Sequence, residues 1–208
     1  MITLPENGLY AVTDDKQLDT DVLVKKTDDI LNAGAAILQY RNKTTNHGLK
    51  ITQAKLLQGL CIDYSVPFII NDDVELARTL NADGVHLGHD DTDCKKARII
   101  LGPDKIIGVS CYNELDCGVT MQMCGASYVA FGAFFPTQTK ANTAKAEPEL
   151  IFTAKQKLNI PVVAIGGITP ENGKILIDAG ADFLAVISGL YNSEDPVKAT
   201  RAYVKLFN

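Results

Sequence analysis

Short apolar runs alternate with amphipathic stretches along the whole chain. The runs occupy residues 9–13, 37–41, 68–71, 84–87, 106–110, 128–131, 162–165 and 183–187. Each is apolar nearly throughout, with no polar position every second residue. Strands buried on both faces read this way. Between them lie helical patterns. In residues 20–32 the apolar positions Leu23, Ile30 and Leu31 recur at i, i+7 and i+8, with Lys25, Lys26, Asp28 and Asp29 outside them. Thr169-Pro170 offers an N-cap followed by proline at a first helical position, and Asp178-Ala179-Gly180 offers a glycine stop. Strands alternating with helices predict parallel βα units.

The connections leading back into the strands come in two kinds. Glycine precedes or opens the even-numbered runs, at Gly34, Gly84, Gly125 and Gly180, and proline stands shortly before the odd-numbered ones, at Pro5, Pro67, Pro103 and Pro161. Glycine supplies a positive φ at a helix end, and proline launches an extended segment. The alternation is a weak repeat of two βα units, four times over, and eight parallel strands in such a cycle predict a (β/α)8 TIM barrel of the α/β class. An open doubly wound sheet is the rival. It would want a glycine-rich dinucleotide loop after its first strand, where this chain has Thr13-Asp14-Asp15-Lys16.

Composition narrows the class further. The 208 residues, 46% hydrophobic and 22% charged, predict one catalytic domain over residues 1–208 with an ample core. A net charge of −5 with no basic tract argues against nucleic acid and anionic membrane surfaces as partners. Five cysteines without C-x-x-C spacing and only three histidines argue against a disulfide framework or a zinc site, and predict reduced thiols in the cytoplasm. No basic-then-apolar leader is visible at the start. The uncharged stretch 117–139 carries three glycines and a proline, so it reads as a helix end, a strand and a loop, not a membrane span. The sequence does not set an oligomeric state.

In a βα barrel the working residues stand where strands end. The glycines Gly166-Gly167, followed by the expected helix start at Thr169-Pro170, together with Ile187-Ser188-Gly189, predict an anion site at the ends of the seventh and eighth strands. Arg41, Lys43 and Lys140 predict a second anion site across the mouth; for each lysine a solvated surface position is the ordinary alternative. Asp72 and Asp91, after adjacent strands, suit Mg²⁺, which takes one or two carboxylates and completes its shell with water and phosphate. Each also serves equally well as a helix N-cap. Two anion sites with an acid pair suggest a diphosphate and a monophosphate held face to face. His86 reads as a satisfied polar residue of the barrel interior, and Cys111 as a small buried apolar one. No nucleophile with an adjacent base is evident.

The segments Gln39-Tyr40-Arg41-Asn42-Lys43, Asn71-Asp72-Asp73, Val85-His86-Leu87-Gly88-His89-Asp90-Asp91 and Gly108-Val109-Ser110 resemble the thiamine phosphate synthase family. So do Gly132-Ala133-Phe134-Phe135-Pro136-Thr137-Gln138-Thr139-Lys140 and Ala164-Ile165-Gly166-Gly167-Ile168. The resemblance runs over nearly the whole chain and in the family's order. It implies the (β/α)8 fold and the joining of hydroxymethylpyrimidine diphosphate to hydroxyethylthiazole phosphate, with release of pyrophosphate. It implies that Gln39, Tyr40, Arg41, Asn42, Lys43, Asn71, Ser110 and Lys140 bind the pyrimidine diphosphate, with Arg41, Lys43, Ser110 and Lys140 catalytic. It implies one Mg²⁺ on Asp72 and Asp91, and thiazole phosphate on Thr137, Gln138, Thr139, Gly167, Ile187 and Ser188. The family often has Glu at Asn42, Gln-Glu at His89-Asp90 and His at Tyr112. Retention of Arg41, Lys43, Asp72, Asp91 and Lys140 argues against the related thiazole tautomerases, which have no diphosphate to hold. A phosphate-binding isomerase and a non-catalytic sensor of thiamine precursors are the other readings. Residues 133–146 are the candidate lid.

Overall fold

The computed structural model describes residues 3–15, 19–88, 91–136 and 145–208. Eight strands, β1 (Gly8–Val12), β2 (Ile37–Tyr40), β3 (Phe68–Asn71), β4 (Gly84–Leu87), β5 (Ile106–Tyr112), β6 (Tyr128–Phe131), β7 (Val162–Ile165) and β8 (Phe183–Val186), pair in sequence order. All pairs are parallel, and β8 returns to β1 with Gly8 opposite Phe183, which closes the barrel. The helices α1 (Thr20–Asn32), α2 (His47–Tyr64), α3 (Val74–Thr79), α4 (Cys94–Leu101), α5 (Leu115–Met123), α6 (Pro148–Lys157) and α7 (Lys174–Asp178) fill the crossovers. A one-turn α8 (Ser188–Tyr191) and then α9 (Pro196–Val204) follow β8.

Four strands, β3, β4, β6 and β7, coincide with their apolar runs, and the others differ only at their ends. At Thr13, just past β1, the side chain takes over from the ladder: Oγ1 donates to Arg41 O at 2.8 Å and accepts from Arg41 N at 2.7 Å. β5 runs two residues longer than expected because its register against β6 slips between Ser110 and Tyr112. Such a bulge re-aims a side chain. Cys111 stays in the outer layer, fully buried, and burial pushes its thiol well up, as a small apolar role requires.

Alternation is present in the strands but hidden by burial on both faces. Tyr10, Val12, Ile37, Ile69, Ile106, Tyr128, Val163 and Phe183 point into the barrel. Leu9, Ala11, Leu38, Phe68, Val85, Ile107, Val129 and Leu184 point outward, beneath the helices. Both sets exclude water, so the sequence reads as a continuous run.

Helix entry follows the expected cap chemistry at several places. Asp19, Asn46, Asp73, Asp93 and Asp195 each accept a backbone N–H in the first turn of a helix. The expected start at Thr169-Pro170 does not form. There Asn172 Oδ1 accepts from Thr169 N at 2.8 Å, a turn forms, and α7 begins only at Lys174. Three of the four glycines that lead into even strands adopt positive φ, while Gly84 does not. Gly84 is needed for a different reason: a Cβ there would sit 2.1 Å from the Ile106 carbonyl oxygen.

Gly84→Ala therefore has to push β5 away from β4, and is expected to cost about 1–3 kcal/mol of unfolding free energy. Gly59, inside α2, has open space where a Cβ would stand, with nothing within 4 Å of that point; Gly59→Ala is expected to add about 0.5–1 kcal/mol. Urea titration of the two variants beside the wild type checks both signs.

Candidate active site

A cavity of about 330 Å³ opens at the C-terminal end of the strands. It collects residues from every one of them, because each inward position at a strand end faces the same mouth. One side carries Arg41, Lys43, Asn71, Asp72, Asp91 and Ser110, and the ends of β7 and β8 contribute Gly166, Gly167, Ile187, Ser188 and Gly189. Val163, Ile165, Ala130 and Ala185 line it with apolar surface.

The acid pair is resolved by its caps. Asp73, not Asp72, accepts from Leu76 N and caps α3. Asp93, not Asp91, accepts from Lys95 N and Lys96 N and caps α4. Asp72 holds a left-handed φ of 63° while its N–H donates to His86 O at 2.8 Å, and this turns its carboxylate into the cavity. Asp91 is fixed by the Gly88 N–H at 2.7 Å. Both carboxyl groups line the cavity and lie near enough to perturb each other's proton affinity. Burial raises Asp72, but hydrogen bonds from Lys43 and Asp91 outweigh it and hold Asp72 below the usual carboxylate range. Burial and then the hydrogen bond to Asp72 raise Asp91. Two neighbouring acids whose proton affinities are pushed in opposite directions form a pair that favours either one proton or one cation near them.

The residues therefore fit a magnesium ion, a hard cation that needs one or two carboxylates. Among the described residues no cluster of three or more His, Cys, Asp or Glu could hold a metal, so the acids converge as a pair and not as a closed cage.

The cations stand beside them. Lys43 Nζ ion-pairs with Asp72. Arg41 lies 2.8 Å from Asp15 Oδ2, yet its buried Nη1 has no aligned hydrogen-bond acceptor. Asp15 thus offsets its charge without a well-aligned hydrogen bond, and an anion in the cavity could compete for the same guanidinium.

Not every expected residue reaches the cavity. Gln39, Arg41 and Lys43 point in, whereas Tyr40 and Asn42 point out, a period-two consequence of the strand that the motif as a block did not reveal. Tyr40 Oη donates to Gln53 Oε1 at 2.9 Å, and Asn42 Nδ2 donates to the same oxygen at 2.9 Å, so both anchor the loop on α2 instead of touching a ligand. The anion site expected from a helix start at Thr169-Pro170 loses that part: the Thr169 N–H is already satisfied by Asn172, and Asn172 Nδ2 also donates to Gly167 O. Thr137, Gln138, Thr139, Lys140, His89 and Asp90 lie outside the described residues, as does most of the candidate lid; its two flanks meet where Ala146 N donates to Ala133 O at 2.9 Å. Sequence reasoning missed Tyr10 and gave Tyr112 no role in the site, though both line the cavity. For Tyr10 the available signal was a polar-tipped aromatic at an inward strand position, which must find a partner when buried.

The fold and this mouth define a (β/α)8 barrel of the kind that handles small phosphorylated molecules. Comparison with known proteins makes this specific. A family model described as thiamine monophosphate synthase matches residues 9–190. A thiamine-phosphate synthase from Xylella fastidiosa (strain Temecula1) is 48% identical over 201 residues, covering 97% of this chain and 85% of that protein. One from Methylobacillus flagellatus is 48% identical over 204 residues, covering 98% and 97%. The solved structure of thiamine phosphate pyrophosphorylase from Pyrococcus furiosus superposes with a TM-score of 0.87 at 32% identity, covering 97% of this chain and 95% of that one. The chain belongs to the thiamine monophosphate synthase family.

Asp91 and Asp93, two positions apart in sequence, have separable effects. Asp93→Ala, which removes the cap of α4, is expected to lower stability by about 1 kcal/mol. Asp91→Asn, which removes one of two facing carboxylates and keeps an acceptor for Gly88 N, is expected not to lower it. Thermal unfolding in metal-free buffer distinguishes them.

Proposed function

We propose that the protein is a thiamine phosphate synthase, joining hydroxymethylpyrimidine diphosphate to hydroxyethylthiazole phosphate with loss of pyrophosphate. The observation that carries the reading is the meeting of Asp72 and Asp91 beside Lys43 in one cavity. An isomerase acting on one monophosphate has no use for that arrangement. Family membership over residues 9–190 supports the same substrates.

Asp72 and Asp91 would hold one Mg²⁺, which when bound neutralises charge on the diphosphate. Arg41 and Lys43 bind the same diphosphate and place fixed positive charge where the leaving pyrophosphate becomes more negative as the C–O bond breaks. Ser110 adds a neutral hydrogen bond, and Gln39 and Asn71 orient the pyrimidine. The bond electrons leave with pyrophosphate, and the aminopyrimidine ring stabilises the methylene cation that remains. Apolar side chains at Ala130, Val163 and Ile165 keep water from that cation. The walls formed by Gly167, Ile187 and Ser188, together with Thr137, Gln138 and Thr139, hold the thiazole phosphate. Its ring nitrogen attacks from about 3–3.5 Å. That nitrogen attacks with a lone pair it already has, so no general base is required; the sequence showed no nucleophile beside a base, but the fold brings Ser110 Oγ to 2.9 Å from His86 Nε2, a contact this reaction does not need as a nucleophile–base pair. Lys140 joins the diphosphate-binding cations. Five unpaired cysteines support a reducing, cytoplasmic setting, and no helix among the described residues is long and apolar enough to cross a membrane.

A coupled pyrophosphate assay tests the reading. Pyrophosphate and thiamine phosphate are expected in equal amounts, only with both substrates and a divalent cation present; release without Mg²⁺, or from one substrate, overturns it. At limiting Mg²⁺, Asp72→Asn is expected to slow turnover by about 10²-fold or more, as removal of a charge-stabilising group does. Ser110→Ala is expected to cost less, about three- to tenfold, the size of one neutral hydrogen bond. Saturation curves in Mg²⁺ for the three proteins separate the roles.

A further inference from the structure

Five polar side chains from five different strands form one hydrogen-bonded chain across the barrel interior, and four of them, Tyr10, Gln39, His86 and Ser110, line the cavity. Gln39 Nε2 donates to Tyr10 Oη at 2.8 Å. The Tyr10 and Tyr128 hydroxyls are 2.6 Å apart. Tyr128 Oη lies 2.9 Å from His86 Nδ1, and His86 Nε2 lies 2.9 Å from Ser110 Oγ. Tyr10 is 1% exposed and Tyr128 0%, so neither hydroxyl can exchange its partners for water. The packing makes room for this arrangement. A Cβ on Gly108 would sit 1.9 Å from Tyr128 Cζ. The Tyr128 ring therefore lies over Gly108, stacks on His86 at 5.6 Å and meets Tyr10 edge-on at 5.8 Å.

A chain of this kind has a direction, because each hydroxyl has one proton to give. An amide nitrogen only donates. Tyr10 oxygen accepts from Gln39, so its own proton goes to Tyr128, and the Tyr128 proton goes to His86 Nδ1. With Nδ1 accepting, the proton of a neutral imidazole is on Nε2 and points at Ser110 Oγ. Ser110 thus receives a hydrogen bond from beneath, and its own proton is left for the cavity above. Run in reverse, the chain would have Ser110 donate to His86 and present only lone pairs to an anionic ligand, which is repulsive.

We propose that Tyr10 and Tyr128 are positioning residues: by relaying the polarity set at Gln39 they hold His86 in its Nε2–H tautomer and keep Ser110 as a hydrogen-bond donor to the diphosphate of the bound substrate. The identity of that diphosphate rests on the function proposed above; the polarity of the chain does not.

Two measurements test this. The first is ¹⁵N–¹H correlation of the imidazole side chains in the intact protein, with the His86 signals assigned by their loss in His86→Asn. The expected result is a protonated Nε2 and an unprotonated Nδ1. A proton on Nδ1 overturns the proposal. The second is steady-state kinetics of Tyr128→Phe, which removes one oxygen and keeps the ring. The expected result is a three- to tenfold fall in kcat with both substrate KM values within about twofold, and a Ser110→Ala/Tyr128→Phe double variant no slower than Ser110→Ala within about twofold. Independent losses that multiply in the double variant overturn it, as does a Tyr128→Phe enzyme with unchanged kcat. Tyr10→Phe, which cuts the chain one link earlier, is expected to shift kcat in the same direction and takes the place of Tyr128→Phe if that variant does not fold. If the wild type releases no pyrophosphate, the proposed function fails, and the imidazole spectrum still decides the polarity.

Discussion

Like charges held in contact are unstable unless something stands between or beside them, and the mouth of this barrel is built around one such pair. Asp72 and Asp91 come from just past the ends of adjacent strands, face one cavity and shift each other's proton affinity. Neighbouring aspartates, Asp73 and Asp93, take the helix caps, so the inward pair is spared that work. Lys43 offsets part of the charge, and a shared proton or a cation offsets the rest. A left-handed backbone at Asp72 is part of the same arrangement, since an extended one would carry the carboxylate elsewhere.

The barrel supplies the rest by geometry. A closed parallel sheet has one mouth at the C-terminal ends of all its strands, and alternation decides which residue of each strand faces it. This is why Gln39, Arg41 and Lys43 share the cavity while Tyr40 and Asn42 are turned onto Gln53 of α2. It is also why cations and acids gather on one side while the glycine-rich ends of β7 and β8 supply other walls, leaving apolar surface between them. A reaction that separates charge and must avoid water is served by that division.

Below the mouth, the interior is not uniformly apolar. Tyr10, Tyr128 and His86 satisfy one another and tie Gln39 to Ser110. Buried polar groups are costly when unpaired and rigid when fully paired. The sequence reading of His86 as a satisfied interior residue therefore holds, and the same network gives it a further use in orienting Ser110.

The strand count, the barrel closure and most strand limits were legible because burial on both faces writes long apolar runs that no tertiary detail can change. Arg41 was legible as a candidate because a cation ending an apolar run has few other reasons to be there, while Lys43, Asp72 and Asp91, just beyond such runs, were candidates beside ordinary surface or helix-cap roles. What the linear chain could not decide was which of two neighbouring aspartates caps a helix and which faces the cavity, since both are acceptors and one backbone angle separates the outcomes. Nor could it separate Tyr40 and Asn42 from Arg41 within one motif, or foresee that Asn172 would satisfy the Thr169 N–H and delay α7 to Lys174. The hydrogen-bonded chain from Gln39 to Ser110 joins residues up to 118 positions apart, Tyr10 to Tyr128. Local propensity and spacing act over a few residues, while contacts of that separation exist only once the ring has closed.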